Sequence, residues 1–368
     1  MYVERLALTN FRSYAEVDLA FAPGVTSIVG SNGRGKTNII EAIGYLGTLS
    51  SHRVAQDAPL VRNGCERAYI RGAVNSGGRT TTLEVEINPG RANRARINGS
   101  PVPRPREIVG ILKSVLFAPE DLALVKGDPG DRRYFLDQLL MLRTPRLAGT
   151  FSDFERTLKQ RNALLRSAGG VRRFDAATLD VWDASLATLG SEIVAARHQL
   201  LNALTPLVQN AYSDLAAKGE ISCTYKASNI EYPDFSRDAI QGAMRQELIS
   251  LRNQELDRGV TLLGPQRDDV VLTLNENPAK GYASHGESWS YALALRLASY
   301  DLLRGDGEEP ILILDDVFAE LDAARRAHLT TIVADAEQVI ITAAVGEDIP
   351  SIMSDNRIVM NELLGENS

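Results

Sequence analysis

An α/β domain assembled from both ends of the chain, interrupted by an inserted helical lobe, is the fold class that three features predict. A glycine-rich octet, Gly30-Ser-Asn-Gly-Arg-Gly-Lys-Thr37, stands between a strand pattern and a helix pattern. Near the other end, ILILDD joins four consecutive apolar residues to Asp315 and Asp316. Between them, Leu179, Trp182, Leu186, Leu189, Ile193, Ala196, Leu200, Ala203 and Leu207 alternate spacings of three and four. The boundaries drawn from these patterns are 1–125 and 260–368 for the α/β domain and 126–259 for the insertion.

The opening residues read as strands: VERLALTNF alternates, VDLAF follows, and Pro23-Gly24 turns the chain into VTSIVG. After the octet, Ile39, Ile43 and Leu46 mark a helix. AYIRGAV and TTLEVEI predict two strands joined by Asn75-Ser76-Gly77-Gly78, and Asn98-Gly99 predicts another hairpin. PVPRPRE reads as extended and SVLFAP as a buried strand. In the middle, Phe151, Phe154, Leu158 and Leu165 predict one helical arm, Gly169-Gly170 its end, and the heptad run a second arm. The pair is either a projecting antiparallel coiled coil or two core helices of a bundle. A further helix runs from Ser236 to Gly259, after which DDVVLTL, ILILDDV, QVIITAA and RIVM restore the strand pattern.

The bulk composition is that of an ordinary globular protein, 44% hydrophobic and 24% charged over 368 residues. Two distant cysteines, Cys65 and Cys223, exclude a disulfide framework and a cysteine-based zinc site, and fit a reducing, cytoplasmic setting. The first residues carry charge where a signal peptide needs apolar length, and no run nears the roughly 20 apolar residues of a membrane span. The net charge of −7 counts against nucleic acid as a partner, yet the charge is uneven. Residues 91–173 hold 17 Lys/Arg and 8 Asp/Glu, whereas 301–368 hold 4 and 15. That asymmetry fits a basic face for an acidic molecule; a mixed, solvated surface is the other reading.

The octet matches G-x-x-x-x-G-K-[ST] in full, in the strand-to-helix context the chemistry requires. Gly30, Ser31, Asn32, Gly33, Arg34 and Gly35 supply backbone N–H groups that wrap an anion at a helix N-terminus, and Asn38 follows in the same turn. Lys36 would reach the β- and γ-phosphates of ATP, and the Thr37 hydroxyl would ligate Mg2+. The strand ILIL should be buried on both faces and carry its acids to the phosphates. Asp315 would then hold Mg2+, directly or through water, and Asp316 would orient and deprotonate an attacking water.

The segment YASHGESWS (282–290) fails as a nucleophile elbow, because A-S-H-G-E lacks the G-x-S-x-G spacing and His285 is a sequence neighbour of Ser284. Ser284 fits a helix N-cap. It also fits, with Gly286, the signature loop of ABC-type ATPases, which precedes the acidic strand and binds the γ-phosphate of ATP held by a second copy. Ala319-Glu320-Leu321-Asp322 likewise resembles the D-loop of those proteins.

LTNFRSY, FAPEDLALVKGDPGDRRYFLD (117–137), LLGPQRDDV, GYASHGE and ILILDDVFAELD, in that order, resemble the RecF family of the SMC branch of ABC ATPases. The resemblance implies an ABC-type P-loop ATPase head with an inserted helical lobe. It also implies ATP and Mg2+ as cofactors and an ATP-closed homodimer in which Ser284 and Gly286 serve the partner's ATP. Further implications are binding to duplex and gapped DNA, and RecO and RecR as partners in loading RecA during gap repair and the damage response. The chain departs from the wider pattern in four places. The signature reads S-H-G-E, the second acid is Asp316 rather than Glu, Thr342-Ala343 stands where a switch histidine would be, and the glutamine loop has only Ala118, Glu120 and Asp121. These departures imply weak, slow, DNA-stimulated hydrolysis, with ATP a timer for dimerisation. Gly169-Gly170 carries no cysteine hook. For DNA the basic candidates are Arg132, Arg133, Arg143, Arg146, Arg156, Lys159 and Arg161. An SMC-like structural or nuclease-associated ATPase and a P-loop small-molecule kinase are the other classes the motifs admit.

Overall fold

The computed structural model describes residues 1–168, 176–216, 218–307, 309–346, 349 and 356–363. The predicted Gly169-Gly170 tip and Arg173 lie outside them. The chain forms two units: Met1–Leu122, Asn210–Ala217 and Trp289–Ser368 make the first, Ala123–Gln209 and Lys218–Ser288 the second.

In chain order, the first unit opens with β1 (Tyr2–Phe11), β2 (Tyr14–Ala20), β3 (Gly24–Val29) and α1 (Lys36–Thr48). There follow β4 (Ala68–Ser76), β5 (Arg79–Ile87), β6 (Arg94–Ile97), β7 (Ser100–Pro101) and β8 (Ser114–Phe117). The hairpin turns fall at Gly77-Gly78 and at Asn98-Gly99, whose φ values of 50° and 78° suit a tight primed turn. PVPRPRE is not extended throughout: Pro105–Ile108 forms a 3-10 turn that Pro105 starts. The second unit holds α2 (Leu122–Lys126) from Ala123 on, α3 (Pro129–Arg143), α4 (Leu147–Ala168), α5 (Ala176–Ala216) as far as Gln209, β9 (Ile221–Lys226), α6 (Arg237–Arg258), β10 (Asp269–Leu274), β11 (Asn277–Pro278) and α7 (Ala279–Tyr282). The remaining elements are α8 (His285–Gly305), β12 (Ile311–Asp315), α9 (Val317–Glu320), α10 (Ala323–Asp335), β13 (Gln338–Ala343), β14 (Asn356–Val359) and α11 (Met360–Leu363).

Two sheets build the first unit. One is antiparallel, in the order β2-β1-β4-β5-β6-β7; the other is parallel, in the order β14-β3-β13-β12-β8. Leu6, Leu8, Ile70 and Val85 share a buried core with Ile39, Ile43 and Leu46 of α1 and Ile313 and Ile340 of the parallel sheet. Each such side chain contributes about 1.5–3 kcal/mol of burial. The parallel register aligns the strand ends: Leu314 lies beside Phe117, Asp315 beside Thr342, and Thr342 beside Ile28. The phosphate loop, the acids and the 118–121 turn thus emerge along one edge of one sheet.

The second unit combines helices with a three-stranded antiparallel sheet, β11-β10-β9. DDVVLTL is a strand as expected, but it pairs with β9 and not with the parallel sheet. The heptad run holds only in part. Leu179, Leu186, Ile193 and Leu200 are buried, yet Ala203 is exposed while Leu204, Val208 and Tyr212 are buried. An α-helix repeats every 3.6 residues, so its buried face drifts off a 3.5-residue seam, and Pro206 lies inside α5 close to where the two part. That face is also broad, taking in Ala187, Val194 and Ala195, and Gly190 packs against Met244 and Pro265. Among the two alternatives, α5 is a core helix.

Candidate nucleotide site

The phosphate loop is shaped from below by the β1–β2 hairpin. Gly35 caps α1 with φ 95°, and a Cβ there would meet the Tyr14 hydroxyl at 2.6 Å. That hydroxyl donates to the Gly35 carbonyl at 3.1 Å. At the other end of the loop, Gly30 lies so close to Met360 that a Cβ would approach its side chain at 2.7 Å. Lys36 is buried, and its Nζ donates to the Gly30 carbonyl at 2.6 Å and to Asn32 Oδ1 at 3.3 Å. Its charge is thereby held over the loop while Ser31, Asn32 and Gly33 stay exposed. Asn38 donates to Ser13 Oγ at 2.9 Å and accepts from Arg53 at 3.2 Å.

Thr37 and Asp315, predicted as a metal pair, are together: the Thr37 hydroxyl donates to Asp315 Oδ1 at 3.3 Å. Burial raises the Asp315 pKa, and the neighbouring Asp316 adds to the shift while the Thr342 hydroxyl, donating to Oδ1, opposes it. No cluster of three or more His, Cys, Asp or Glu able to hold a metal occurs among the described residues. One hydroxyl and one carboxylate fit Mg2+ that takes its other ligands from phosphates and water. Asp316 follows in the left-handed conformation, φ 51°, with its N–H donated to Thr342 Oγ1 at 3.1 Å. Its carboxylate makes no cap bond to α9.

Two contributors, Thr342 and Glu41, were not legible as site residues, whereas Asp121 was read in place of the glutamine loop. Thr342, read only as the absence of a histidine, bonds both acids. Glu41, one turn into α1, is fully buried and receives Arg12 and the Ser51 hydroxyl, with Arg53 at 3.6 Å. Asp121 of the 118–121 turn accepts from the Ala118 N–H at 3.0 Å and from Arg296 Nε at 3.0 Å. A lone polar residue in an otherwise ordinary stretch gives no spacing signal for Thr342 or Glu41.

Ser284 and Gly286 lie in the second unit, at the start of α8. Ser284 is exposed, accepts from the Glu287 N–H at 3.3 Å, and donates its own N–H to Glu287 at 2.8 Å. The N-cap reading is therefore realised, as a capping box. Asp322 similarly caps α10, accepting from the Arg325 N–H at 3.0 Å.

The basic stretch 91–173 is divided between the two units. Arg91–Arg106 belong to the first unit, Lys126–Lys159 to the second. Arg161 and Arg132 are buried and paired, with Asp183 and Glu255 and with Asp269, and so are corrected out of any DNA surface. Arg133 is half-buried against the Asp268 carbonyl, 2.6 Å away. Arg146 and Arg156 remain at the surface beside Glu192 and Asp153, and Lys159 borders a shallow groove on α4.

A phosphate loop and two strand-end acids on a parallel sheet, flanked by an antiparallel sheet, define an ABC-type ATPase head of the SMC class. The family described as RecF/RecN/SMC N terminal domain matches residues 2–361. The DNA replication and repair protein RecF of Streptomyces avermitilis is 56% identical over 368 residues, covering 98% of each chain. A solved structure of the recombination mediator protein RecF with ATP superposes with a TM-score of 0.88 at 27% identity, covering 95% of this chain and 93% of that one. The Pyrococcus furiosus Smc head domain shares the fold at a TM-score of 0.53 and 18% identity. The chain belongs to the RecF family.

Proposed function

We propose that this chain is an ATP-dependent DNA-binding protein of replication and recombinational repair, active as an ATP-closed pair. The observation that carries the reading is the row of strand ends that places the phosphate loop, Asp315, Asp316 and Thr342 along one edge. Lys36 and the loop amides balance the charge of the ATP phosphates. Thr37 and Asp315 would hold Mg2+, which when bound supplies charge neutralisation and phosphate orientation. Asp316 accepts the proton of the attacking water, its backbone locked by Thr342. Its carboxylate is one methylene shorter than the usual glutamate, which fits slow hydrolysis and ATP acting as a switch.

Ser284 and Gly286 of one copy serve the ATP of the other, with the N-cap bond to Glu287 exchanged for one to the γ-phosphate. Closure sets two copies of Arg143, Arg146, Arg156 and Lys159 toward DNA, chiefly its backbone. The RecFOR association of the solved relative supports RecO and RecR as partners in loading RecA at gaps. Among the described residues no helix is long and apolar enough to cross a membrane. Sizing the protein with and without ATP tests the pair. Wild type should double its mass with ATP and Ser284→Arg should not; normal dimerisation of a folded Ser284→Arg protein overturns the in-trans role. DNA affinity should fall steeply between 50 and about 200 mM salt.

A further inference from the structure

The segment between β11 and α8 runs from the buried Ala279 to Ser284 and packs loosely along the way. It follows a tight turn at Asn275 and Glu276, φ 49° and 68°, and bends again at Gly281, φ 92°. Tyr282 is 72% exposed, and apart from its chain neighbours nothing lies within 4 Å of where a Gly281 Cβ would stand. Packing therefore does little to fix the path. One backbone bond closes the bend, from the Ala283 N–H to the Ala279 carbonyl at 3.0 Å. At its end the segment joins the first turn of α8, where the Ser288 N–H and hydroxyl donate to the Ser284 carbonyl at 3.0 Å and 2.7 Å.

Lys280 ties this segment to the body of the second unit. Its Nζ donates to the Gly127 carbonyl at 2.9 Å and to Asp128 Oδ1 at 3.2 Å. Both acceptors sit on a fixed corner between α2 and α3. The Gly127 N–H donates to the Ala123 carbonyl at 2.7 Å, and the Asp128 N–H to Asp131 Oδ2 at 2.8 Å. Arg132, itself paired with Asp269, donates to the same Gly127 carbonyl at 3.2 Å. A Cβ at Gly127 would run into Asp131 and the Ala123 carbonyl, so the corner admits one backbone shape. An exposed pair with Asp128 alone would hold the lysine weakly. The carbonyl of a rigid corner, taking a charged donor, is the stronger anchor.

We infer that Lys280 is a positioning residue for Ser284, setting the angle at which this loop meets the ATP of a second copy. The inference rests on the in-trans reading of Ser284 and Gly286 given above. Closure changes the contacts of the loop: Ser284 exchanges the Glu287 N–H for the γ-phosphate. The segment then keeps the Ser288 bonds on one side and the Lys280 bonds on the other. Lys280 touches neither the nucleotide nor the attacking water and acts through Ser284. Without it, Gly281 and the exposed Tyr282 let the loop swing, and each copy must order that loop at the moment of closure. A pair contains two such loops, so the penalty enters twice.

The test uses the full chain. In hydrogen–deuterium exchange of the nucleotide-free protein, peptides covering 279–288 should exchange about fivefold faster in Lys280→Ala, with the rest of the protein unchanged. In analytical ultracentrifugation with ATP, the dissociation constant of the Lys280→Ala pair should rise about 25-fold, about fivefold for each loop. Lys280→Arg keeps a charged donor for the Gly127 carbonyl and should restore both readouts. A fluorescent ATP analogue should bind the monomeric Lys280→Ala protein within about twofold of wild type; a larger loss would place the effect in the copy's own site and overturn the inference. Exchange at the wild-type rate in a folded Lys280→Ala protein overturns the tether. Faster exchange with an unchanged dimer constant overturns the positioning role, and leaves the in-trans reading standing where Ser284→Arg fails to pair. Normal pairing of Ser284→Arg removes that reading, and the positioning role with it.

Discussion

Two sets of arginines, one in each unit, are used in opposite ways. In the second, Arg161 is fully buried and gives Nε to Asp183 at 2.7 Å, Nη1 to Thr261 at 2.9 Å and Nη2 to Glu255 at 2.6 Å. Arg197 is spent likewise on Asp137 and the Pro265 carbonyl, and Arg132 on Asp269. In the first unit, Arg71 and Arg94 stand in water over carboxylates they barely touch. A count of cations along the chain treats these as equals. What separates them is whether a carboxylate from a distant segment folds onto the guanidinium, so local charge balance is a poor guide to a binding face.

The sharpest way to break that comparison is to delete one partner on each side. Glu255→Ala leaves Arg161 short of a carboxylate in the interior and the Leu262 N–H without its acceptor at 2.7 Å. An expected loss of about 3–5 kcal/mol follows, read by urea denaturation. Arg71→Ala should cost no more than about 1 kcal/mol, because exposed pairs are screened and hold long side chains at an entropic cost. Equal losses in the two variants would end the distinction.

A second contrast lies within the nucleotide site, between the buried Asp315 and the half-buried Asp316. Because burial raises the Asp315 pKa, its ionised form costs stability near neutral pH. The cost eases as pH falls toward the folded value, since the folded state then binds the proton more readily than the unfolded chain. Asp315→Asn keeps an acceptor for the Thr342 and Thr37 hydroxyls and removes the charge. The nucleotide-free variant should gain about 0.5–2 kcal/mol, a rise of a few degrees in Tm. It should lose the further rise that Mg-ATP gives the wild type, measured by scanning fluorimetry. An unchanged Mg-ATP response in Asp315→Asn would remove Asp315 from the metal site.

How far the sequence reached follows the same physics. The phosphate loop, the acidic strand and the hairpin turns were legible because each depends on backbone conformation or local period. Gly35 at φ 95° and Asn98-Gly99 announce themselves in a few residues. The Arg12–Glu41 and Arg161–Glu255 pairs were not, being made by residues 29 and 94 positions apart with no periodic signature. DDVVLTL was legible as a strand, but its sheet was not: Asp268 and Asp269 anchor it to Tyr225, Arg133 and Arg132 through contacts no local pattern encodes. The heptad run misled in its second half for a geometric reason. A 3.5-residue pattern on a helix of 3.6 residues per turn rotates away from the core, so Leu204 took the place expected of Ala203.

The smallest effect concerns Ser284 and has a distinctive sign. Glu287 accepts from Ser284, first through the side-chain interaction and then the backbone N–H, and its pKa is lowered. A carboxylate of that kind contributes stability above its unfolded pKa, near 4.3, and loses it as pH falls through the lower folded value. Its charge at the start of α8 is worth about 0.3–1 kcal/mol, so Glu287→Gln should lower stability by that amount at pH 7 and converge on wild type below about pH 4. Asp315 responds to acid in the opposite direction, because desolvation rather than hydrogen bonding dominates its environment. Difference melting curves against pH for Glu287→Gln and Asp315→Asn should therefore slope in opposite senses. A shared slope would mean that Ser284 is not held by Glu287 in the nucleotide-free chain, and that its hydroxyl already faces the solvent a second copy would enter.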